Sequence, residues 1–205
     1  MKALGTYIFA GGFTLGVQKH FDVQAHFEMK PGLYKKTVKA NFPDLPIYEG
    51  EDEWPRKKFK NKIDFVYCNP PCAPWSNLGS TQKGAQAWRD DPRIKCWRDS
   101  FNLLKELEPQ AIAIESVPRV YSINGGRPMI TELTKEAIDL GYQVTHLLVD
   151  GGFTGLNHSR KRFFFIATKH NLNPHILNFQ PLPTAGEVLE NFKKEHGSDV
   201  GHLMK

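Results

Sequence analysis

Short apolar runs alternate with segments of helical periodicity over most of this chain. The apolar runs predict strands at residues 7–9, 23–27, 64–67, 111–114, 143–149 and 162–168. Apolar residues spaced three or four apart predict helices at 15–20, 33–40, 94–104 and 130–140. This alternation is typical of an α/β domain with a doubly wound, mostly parallel sheet, in which ligands bind at the carboxyl ends of the strands. The last two strands are expected to be antiparallel partners.

The pattern weakens after residue 168. We therefore expect one α/β domain at 1–168 and a C-terminal extension at 169–205, with a short helix at 185–193 and a flexible tail.

Composition narrows the class of protein. The 205 residues are 40% hydrophobic and 24% charged, which is typical of a globular protein long enough to bury a core. A formal net charge of +5 favours an anionic partner such as nucleic acid. No apolar run approaches the roughly 20 residues of a membrane helix, and the N-terminus lacks a signal-peptide core. The three cysteines form no CxxC pair, which argues against disulfides and zinc and favours a reducing cytoplasm.

A glycine-rich stretch, FAGGFTLG at 9–16, stands between a predicted strand and a predicted helix. Glycines there allow a cofactor to approach the backbone near a helix N-terminus. The stretch is not GxGxxG, so it gives little support to a dinucleotide site. Glu28 ends the second predicted strand, where an acid can accept hydrogen bonds from a ribose. The alternative is a tight turn with a solvent-facing Glu28.

The stretch CNPPCAPWS at 68–76 also follows a predicted strand. Its prolines restrict the backbone and hold Cys72 at the ligand edge, where a thiol can act as a nucleophile. Cys68 and Cys96 lie in a strand and a helix, so we expect both to be small buried hydrophobes.

Two further stretches carry charge next to apolar strands. Glu115 directly follows the run IAI, and a carboxylate there is costly unless it is paired, functional or a strand-end cap. The cluster HSRKR at 158–162 enters an apolar strand, so at least one arginine should need a polar or anionic partner.

These four stretches, in this order, resemble the cytosine-5 DNA methyltransferase family. The resemblance runs from Tyr7 to Thr168: 9–16 resembles the family's FAGxGG loop, 71–76 its PCQxFS loop, 115–117 its ENV element and 158–162 its QxRxR element. It implies a Rossmann-like, S-adenosylmethionine-dependent fold and a DNA-modifying transferase.

The resemblance also implies residue roles. Cys72 would add to carbon 6 of cytosine, Glu115 would bond ring nitrogen 3, and Arg160 would contact the base carbonyl with Arg162 in support. The base would have to leave the DNA stack. S-adenosylmethionine would have Glu28 on its ribose and Met29 beside its adenine, with an acid from 49–52, taken here as Asp52. The remaining implied cofactor contacts are Phe9, Gly11, Gly12, Leu15 and Pro70.

The chain departs from the family pattern in several places. The glycine-rich loop is about two residues shorter than the family loop, which leaves another one-carbon donor open. Ala73, Ser116 and His158 replace two glutamines and an asparagine. Too few residues follow Thr168 for the family's recognition domain. We therefore expect low sequence specificity, a partner subunit or homo-oligomer that supplies the missing part, or a smaller substrate. A virus that modifies its own DNA is one setting that suits low specificity.

Three alternatives stay open at this level. The letters NPP at 69–71 resemble the loop of exocyclic-amino DNA methyltransferases, although that class needs an aromatic residue at the position of Cys72. A cytosine nucleotide-modifying enzyme and a non-catalytic DNA-binding relative are the others. Trp75 and Trp88 flank the loop and are candidates to cover a flipped base. The basic run at 56–62 is expected to be a solvated loop rather than a phosphate contact.

Overall fold

The computed structural model describes residues 1–29, 35–75, 87–122, 125–154 and 159–170, together with 186, 187, 190 and 194. Its strands are β1 (Lys2–Thr6), β2 (Asp22–Glu28), β3 (Ile47–Glu49), β4 (Phe65–Cys68), β5 (Ala111–Ser116), β6 (Gln143–Asp150) and β7 (Lys161–Thr168). Its α-helices are α1 (Gly12–Val17), α2 (Lys35–Asn41), α3 (Arg56–Phe59), α4 (Ile94–Leu107) and α5 (Arg127–Asp139).

The seven strands form one sheet in the order β3-β2-β1-β4-β5-β7-β6. Strands β1 to β5 pair in parallel, and β7 runs antiparallel to β5. The chain moves outward from β1 to β3 and then returns to β4 on the other side of β1. Ligands bind at such a reversal, beyond the carboxyl ends of the strands. The predicted doubly wound, mostly parallel fold is confirmed.

The core lies on both faces of the sheet. On one face, Trp97, Phe101 and Leu104 of α4 are at most 1% exposed, which confirms the helical stripe predicted from their spacing. On the other face, Val17, Val38 and Phe42 form a smaller cluster. Burial of each large side chain contributes about 1.5–3 kcal/mol to the free energy of unfolding. The helices on both faces of the sheet therefore hold the strand ends in place.

The first strand differs from the prediction. The structure places β1 at Lys2–Thr6, and the apolar run at 7–9 forms the turn after it. Tyr7 and Phe9 have φ of 52° and 51°, which a strand does not accommodate. Tyr7 and Ile8 are nonetheless buried. The apolar run therefore marks a loop that packs into the core rather than a strand.

Two elements were absent from the prediction. The short strand β3 extends the sheet beyond β2, and α3 forms within the basic run at 56–62. Lys57, Lys58, Lys60 and Lys62 are exposed, as a solvated run requires, whereas Arg56 pairs with Glu106 at 2.7 Å.

The chain divides into two compact units, one of 1–147 and 163–172 and the other of 148–162 and 173–205. The division predicted at residue 168 stays a prediction, and most of the helix predicted at 185–193 lies outside the described residues. Within the described part of the chain, no helix has the length and apolarity to cross a membrane.

Candidate active site

The loop after β4 carries Cys72 to the surface. Asn69 continues the backbone pairing by donating its N–H to the carbonyl of Thr6 at 3.0 Å. Pro70 and Pro71 are buried, and Cys72 is exposed beyond them. Because prolines restrict the backbone on the core side, the thiol stands at the carboxyl edge of the sheet, as the sequence predicted.

The three cysteines have different environments. Cys68 and Cys96 are buried, as predicted. Burial raises the pKa of the Cys68 thiol to about 12 and that of Cys96 to about 11. Both are therefore protonated near neutral pH and shielded from reagents. Cys72 is the one cysteine of the three that a substrate can reach.

Glu115 lies beside the base of the Cys72 loop. Cys68 stands opposite Ile114 in the parallel pairing of β4 with β5, so the next residues of the two strands, Asn69 and Glu115, are also neighbours. The Asn69 side-chain amide donates a hydrogen bond to Oε2 of Glu115. This bond offsets the cost of placing a carboxylate at the end of a buried strand, and it orients the carboxylate. The structure thus brings Glu115 and the loop of Cys72 together.

The glycine-rich turn surrounds the N-terminus of α1. Gly11 has φ of +91°, and a Cβ there would lie 2.4 Å from Cε2 of Phe42, so backbone and packing both require glycine. Gly12 differs, because nothing lies within 4 Å of the position that its Cβ would occupy. Leu15 is 50% exposed on the same helix. The turn therefore presents an open, uncovered surface at Gly12.

Glu28 faces this turn. Its Oε1 accepts the N–H of Ile8 at 2.6 Å, and further backbone bonds come from Phe9 and Met29. Burial raises the pKa of Glu28 to about 7, and the backbone hydrogen bonds only partly offset this effect. The alternative of a solvent-facing Glu28 is wrong, because the carboxyl group ties the end of β2 to the glycine-rich turn.

A second acid reaches the end of β1. The Tyr7 hydroxyl donates to Oε1 of Glu51 at 3.1 Å, and the Cys96 thiol also bonds to the Tyr7 hydroxyl. Asp52, the acid taken from the sequence, is exposed in the 3-10 turn Glu51–Glu53. The choice of Asp52 stays a prediction, and the structure adds Glu51 as the acid in contact with Tyr7. Glu51 lies within residues 49–52, where the sequence predicts an acid, but only the fold identifies Tyr7 as its partner.

A buried polar cluster beneath α1 had no signal in the helix and strand patterns. Thr14 Oγ1 lies 2.9 Å from the Tyr67 hydroxyl, and His26 Nε2 lies 3.2 Å from each of these oxygens. Burial lowers the pKa of His26 to about 4, so the ring is neutral. The cluster fixes α1, and with it the glycine-rich turn, against β2 and β4.

The expectation that Trp75 covers a flipped base is wrong. Trp75 is 1% exposed and packs edge-on against Trp97, with ring centroids 5.6 Å apart. The 3-10 turn Ala73–Trp75 directs the indole into the core. The side chain of Trp88 and the whole of Ser76 and His158 lie outside the described residues.

Arg160 and Arg162 belong to the second unit. The Asp150 carboxylate accepts the hydroxyl of Ser159 at 2.7 Å, and the carbonyl of Arg160 accepts the N–H of Gly151 at 3.1 Å. Arg160 is exposed, and Arg162 is partly buried with Nη1 bonded to the carbonyl of Lys161 at 2.9 Å. Their predicted contacts with a base stay predictions.

The sheet is doubly wound, and its carboxyl edge carries the glycine-rich turn after β1, the carboxyl group at the end of β2 and the exposed cysteine after β4. This arrangement is typical of a ligand-binding α/β domain. The chain belongs to the C-5 cytosine-specific DNA methylase family, whose model matches residues 4–204.

Curated relatives agree with this assignment, and a solved structure shares the fold. The type II methyltransferase M1.HphI of Haemophilus parahaemolyticus is 30% identical over 167 residues, which are 78% of this chain and 44% of the relative. M.NgoPII of Neisseria gonorrhoeae is 29% identical over 174 residues, 84% of this chain and 49% of the relative. The Entamoeba histolytica methyltransferase EhMeth shares the fold, with a TM-score of 0.67, 17% identity and coverage of 90% of this chain and 57% of that one. The chain therefore spans about half the length of these relatives.

Proposed function

We propose that this chain transfers a methyl group to carbon 5 of cytosine in DNA, with Cys72 as the nucleophile. The observation that carries the proposal is the pairing of β4 with β5. It places Asn69 beside Glu115 and leaves Cys72 exposed just beyond, at the carboxyl edge of the sheet. A nucleophile and an acid at one edge suit attack on a ring that needs both.

The chemistry of the proposal assigns each group one task. The Cys72 thiolate forms a bond to carbon 6 while protonated Glu115 bonds ring nitrogen 3, which makes carbon 5 nucleophilic. Carbon 5 would take a methyl group from the sulfonium of the donor, whose sulfur–methyl bond would break so that the donor leaves as a neutral thioether. Loss of the carbon 5 proton to a base then restores the ring double bond and expels the Cys72 thiolate. The Asn69 amide holds the Glu115 carboxyl in place throughout.

S-adenosylmethionine fits the residues at the ends of β1 and β2. When bound, it supplies an electrophilic methyl group. The space at Gly12 admits a ligand, and Glu28 supplies carboxyl oxygens for ribose hydroxyls. The residues proposed to hold it are those the sequence indicated: Phe9, Gly11, Gly12, Leu15, Glu28, Met29, Asp52 and Pro70.

DNA is the proposed substrate, and the net charge of +5 favours a polyanion. The target cytosine has to leave the duplex stack to reach Cys72. Arg160 and Arg162 are proposed to contact the base or the backbone. Low sequence specificity, or a partner subunit or second copy that contributes recognition, completes the proposal, and a cytoplasmic location stays a prediction.

A covalent trap tests the nucleophile. DNA that contains 5-fluorocytosine blocks release of the enzyme, because carbon 5 has no proton to lose. With S-adenosylmethionine present, the wild type should form an adduct that survives denaturation, and Cys72→Ser should form none. Cys96→Ser is the matched control and should keep the adduct, because Cys96 is buried. Absence of an adduct in the wild type with any methyl donor would refute the proposal.

The methyl donor needs a separate measurement. Calorimetry should show S-adenosylmethionine or S-adenosylhomocysteine binding that Glu28→Ala weakens. Absence of binding to the wild type, or equal binding to the variant, contradicts the assigned cofactor site.

Product analysis separates the enzymatic alternatives. Mass spectrometry of digested DNA should place the methyl group on carbon 5. A methyl group on the exocyclic nitrogen, or modification of cytosine nucleotides without modification of DNA, would favour the corresponding alternative.

A further inference from the structure

The surroundings of Gly126 leave too little space for a side chain. It is the N-terminal cap of α5, with φ of −79° and ψ of 4°, a backbone conformation open to other residues. A Cβ at this position would lie 2.8 Å from Nε1 of Trp75 and 2.8 Å from the carbonyl oxygen of Val120. Both distances are far below van der Waals contact. Any side chain here must therefore displace Trp75, Val120 or α5 itself.

Trp75 and Val120 meet at Gly126, and they belong to the segments that carry Cys72 and Glu115. Trp75 closes the loop of Cys72, because the backbone N–H of Trp75 donates to the carbonyl of Cys72 at 3.0 Å. Its indole is buried against Trp97, which anchors that end of the loop. Val120 lies in the 3-10 turn that follows β5, the strand of Glu115. The turn is closed by a 3.1 Å bond from the N–H of Val120 to the carbonyl of Val117.

We infer that Gly126 is a positioning residue. Because Gly126 has no side chain, Trp75 and Val120 can both pack against its backbone. This packing fixes the loop of Cys72 relative to the segment of Glu115. The inference rests on the proposed function, in which Cys72 and Glu115 act on one cytosine ring. Gly126 itself touches neither reactive group. Its effect is expected on the rate of the covalent step rather than on DNA binding.

Gly126→Ala tests the inference, with Gly141→Ala as the matched control. Gly141 lies beyond the other end of α5 at φ of +84°, with nothing within 4 Å of its Cβ position. Alanine there strains the backbone and lowers stability without pressing on Trp75 or Val120. A variant that merely loosens the fold should therefore behave like Gly141→Ala.

The readout is the single-turnover rate of adduct formation with 5-fluorocytosine DNA at saturating concentration. Because misplacement by about 1 Å can cost about a hundredfold in rate, Gly126→Ala should be slower by at least about tenfold, with little change in DNA affinity. Gly141→Ala should stay within about threefold of the wild type. Trp75→Phe removes Nε1, so adding it to Gly126→Ala should restore part of the lost rate. Equal rates in the two glycine variants, or no recovery in the double variant, would overturn the inference.

Alkylation of Cys72 by iodoacetamide separates failure of the inference from failure of the proposed function. The reaction needs neither DNA nor a methyl donor, and peptide mass spectrometry distinguishes Cys72 from the two buried cysteines. Gly126→Ala should change the Cys72 alkylation rate by at least about threefold, because the altered position of Trp75 is transmitted to the Cys72 carbonyl. Gly141→Ala should not. If the wild type forms no adduct, this comparison still decides whether Gly126 positions Cys72, and identical alkylation rates in the two variants would refute it.

Discussion

Glu28 should make the protein less stable as the pH rises. Its carboxyl group is partly buried beside the glycine-rich turn, and burial raises its pKa to about 7 from an ordinary value of 4.5. Between these two values the folded protein keeps a proton that the unfolded chain has lost. The free energy of unfolding therefore falls as the pH rises through this window and stays reduced above about 7.

Substitution Glu28→Gln removes this effect with little change in shape. The amide oxygen can still accept the N–H of Ile8, which lies 2.6 Å from Oε1 in the wild type. The amide nitrogen cannot accept the backbone bonds from Phe9 and Met29, and their loss lowers the stability of the variant by the same amount at every pH. Moving a carboxyl pKa from 4.5 to about 7 corresponds to about 3 kcal/mol in favour of the neutral form. In a domain of this size, about 3 kcal/mol raises the unfolding midpoint by about 6 to 12 °C.

The assay is thermal or urea unfolding of the ligand-free protein at pH 8 and pH 5. The stability of Glu28→Gln relative to the wild type should be about 2 to 3 kcal/mol greater at pH 8 than at pH 5. Asp44→Asn is the control, because Asp44 is exposed between α2 and β3, and its effect should stay within about 0.5 kcal/mol at both pH values. A gain at pH 8 no larger than that at pH 5 would refute the reasoning.

Two further predictions concern the supports of the glycine-rich turn. Burial lowers the pKa of His26 to about 4, so its ring proton resonances should not shift between pH 8 and 5.5, and the contribution of His26 to the free energy of unfolding should fall as the pH falls from 6.5 towards 4, opposite in sign to that of Glu28; an NMR titration with a midpoint near 6.5 would contradict this. Gly11→Ala should cost about 2 kcal/mol or more, because it combines a positive φ with a contact against Phe42. Gly12→Ala meets no atom within 4 Å and should cost less than about 1 kcal/mol, so equal unfolding midpoints for the two variants would argue against this account.

Patterns of apolar residues predict the elements that are buried along a helical stripe or throughout a strand. The stripe of Trp97, Phe101 and Leu104 identified α4, and the continuous apolar run at 111–114 identified β5. The same signal misplaced β1, because Tyr7 and Ile8 are buried in a turn and burial alone does not distinguish a turn from a strand. The short β3 gave no signal, since three partly buried residues are too few to show a period.

The candidate site divides in the same way. Cys72 and Glu115 could be predicted as site residues because a reactive residue next to a strand end is visible in the sequence, and the fold brings Glu115 and the loop of Cys72 to one edge. Their roles stay predictions. Trp75 was misassigned, because the sequence does not show which way a side chain turns after a pair of prolines. The contacts of Glu51 and Gly126 depend on residues more than forty positions away, at Tyr7 and Trp75, and no local pattern encodes them.

The cost of Glu28 supports its proposed role. The backbone hydrogen bonds from Ile8, Phe9 and Met29 only partly offset the penalty of burying the ionised carboxyl group, so they do not by themselves account for a carboxylate here. A group that destabilises the folded protein near neutral pH is typical of a binding site. Glu28 bonds to the backbone of Ile8 and Phe9, at the start of the turn that leads to the open position at Gly12. Ribose hydroxyl groups would donate hydrogen bonds to the ionised carboxylate of Glu28 and stabilise it. Binding of S-adenosylmethionine should therefore lower the pKa of Glu28 and recover part of the stability that the ligand-free protein loses above pH 7.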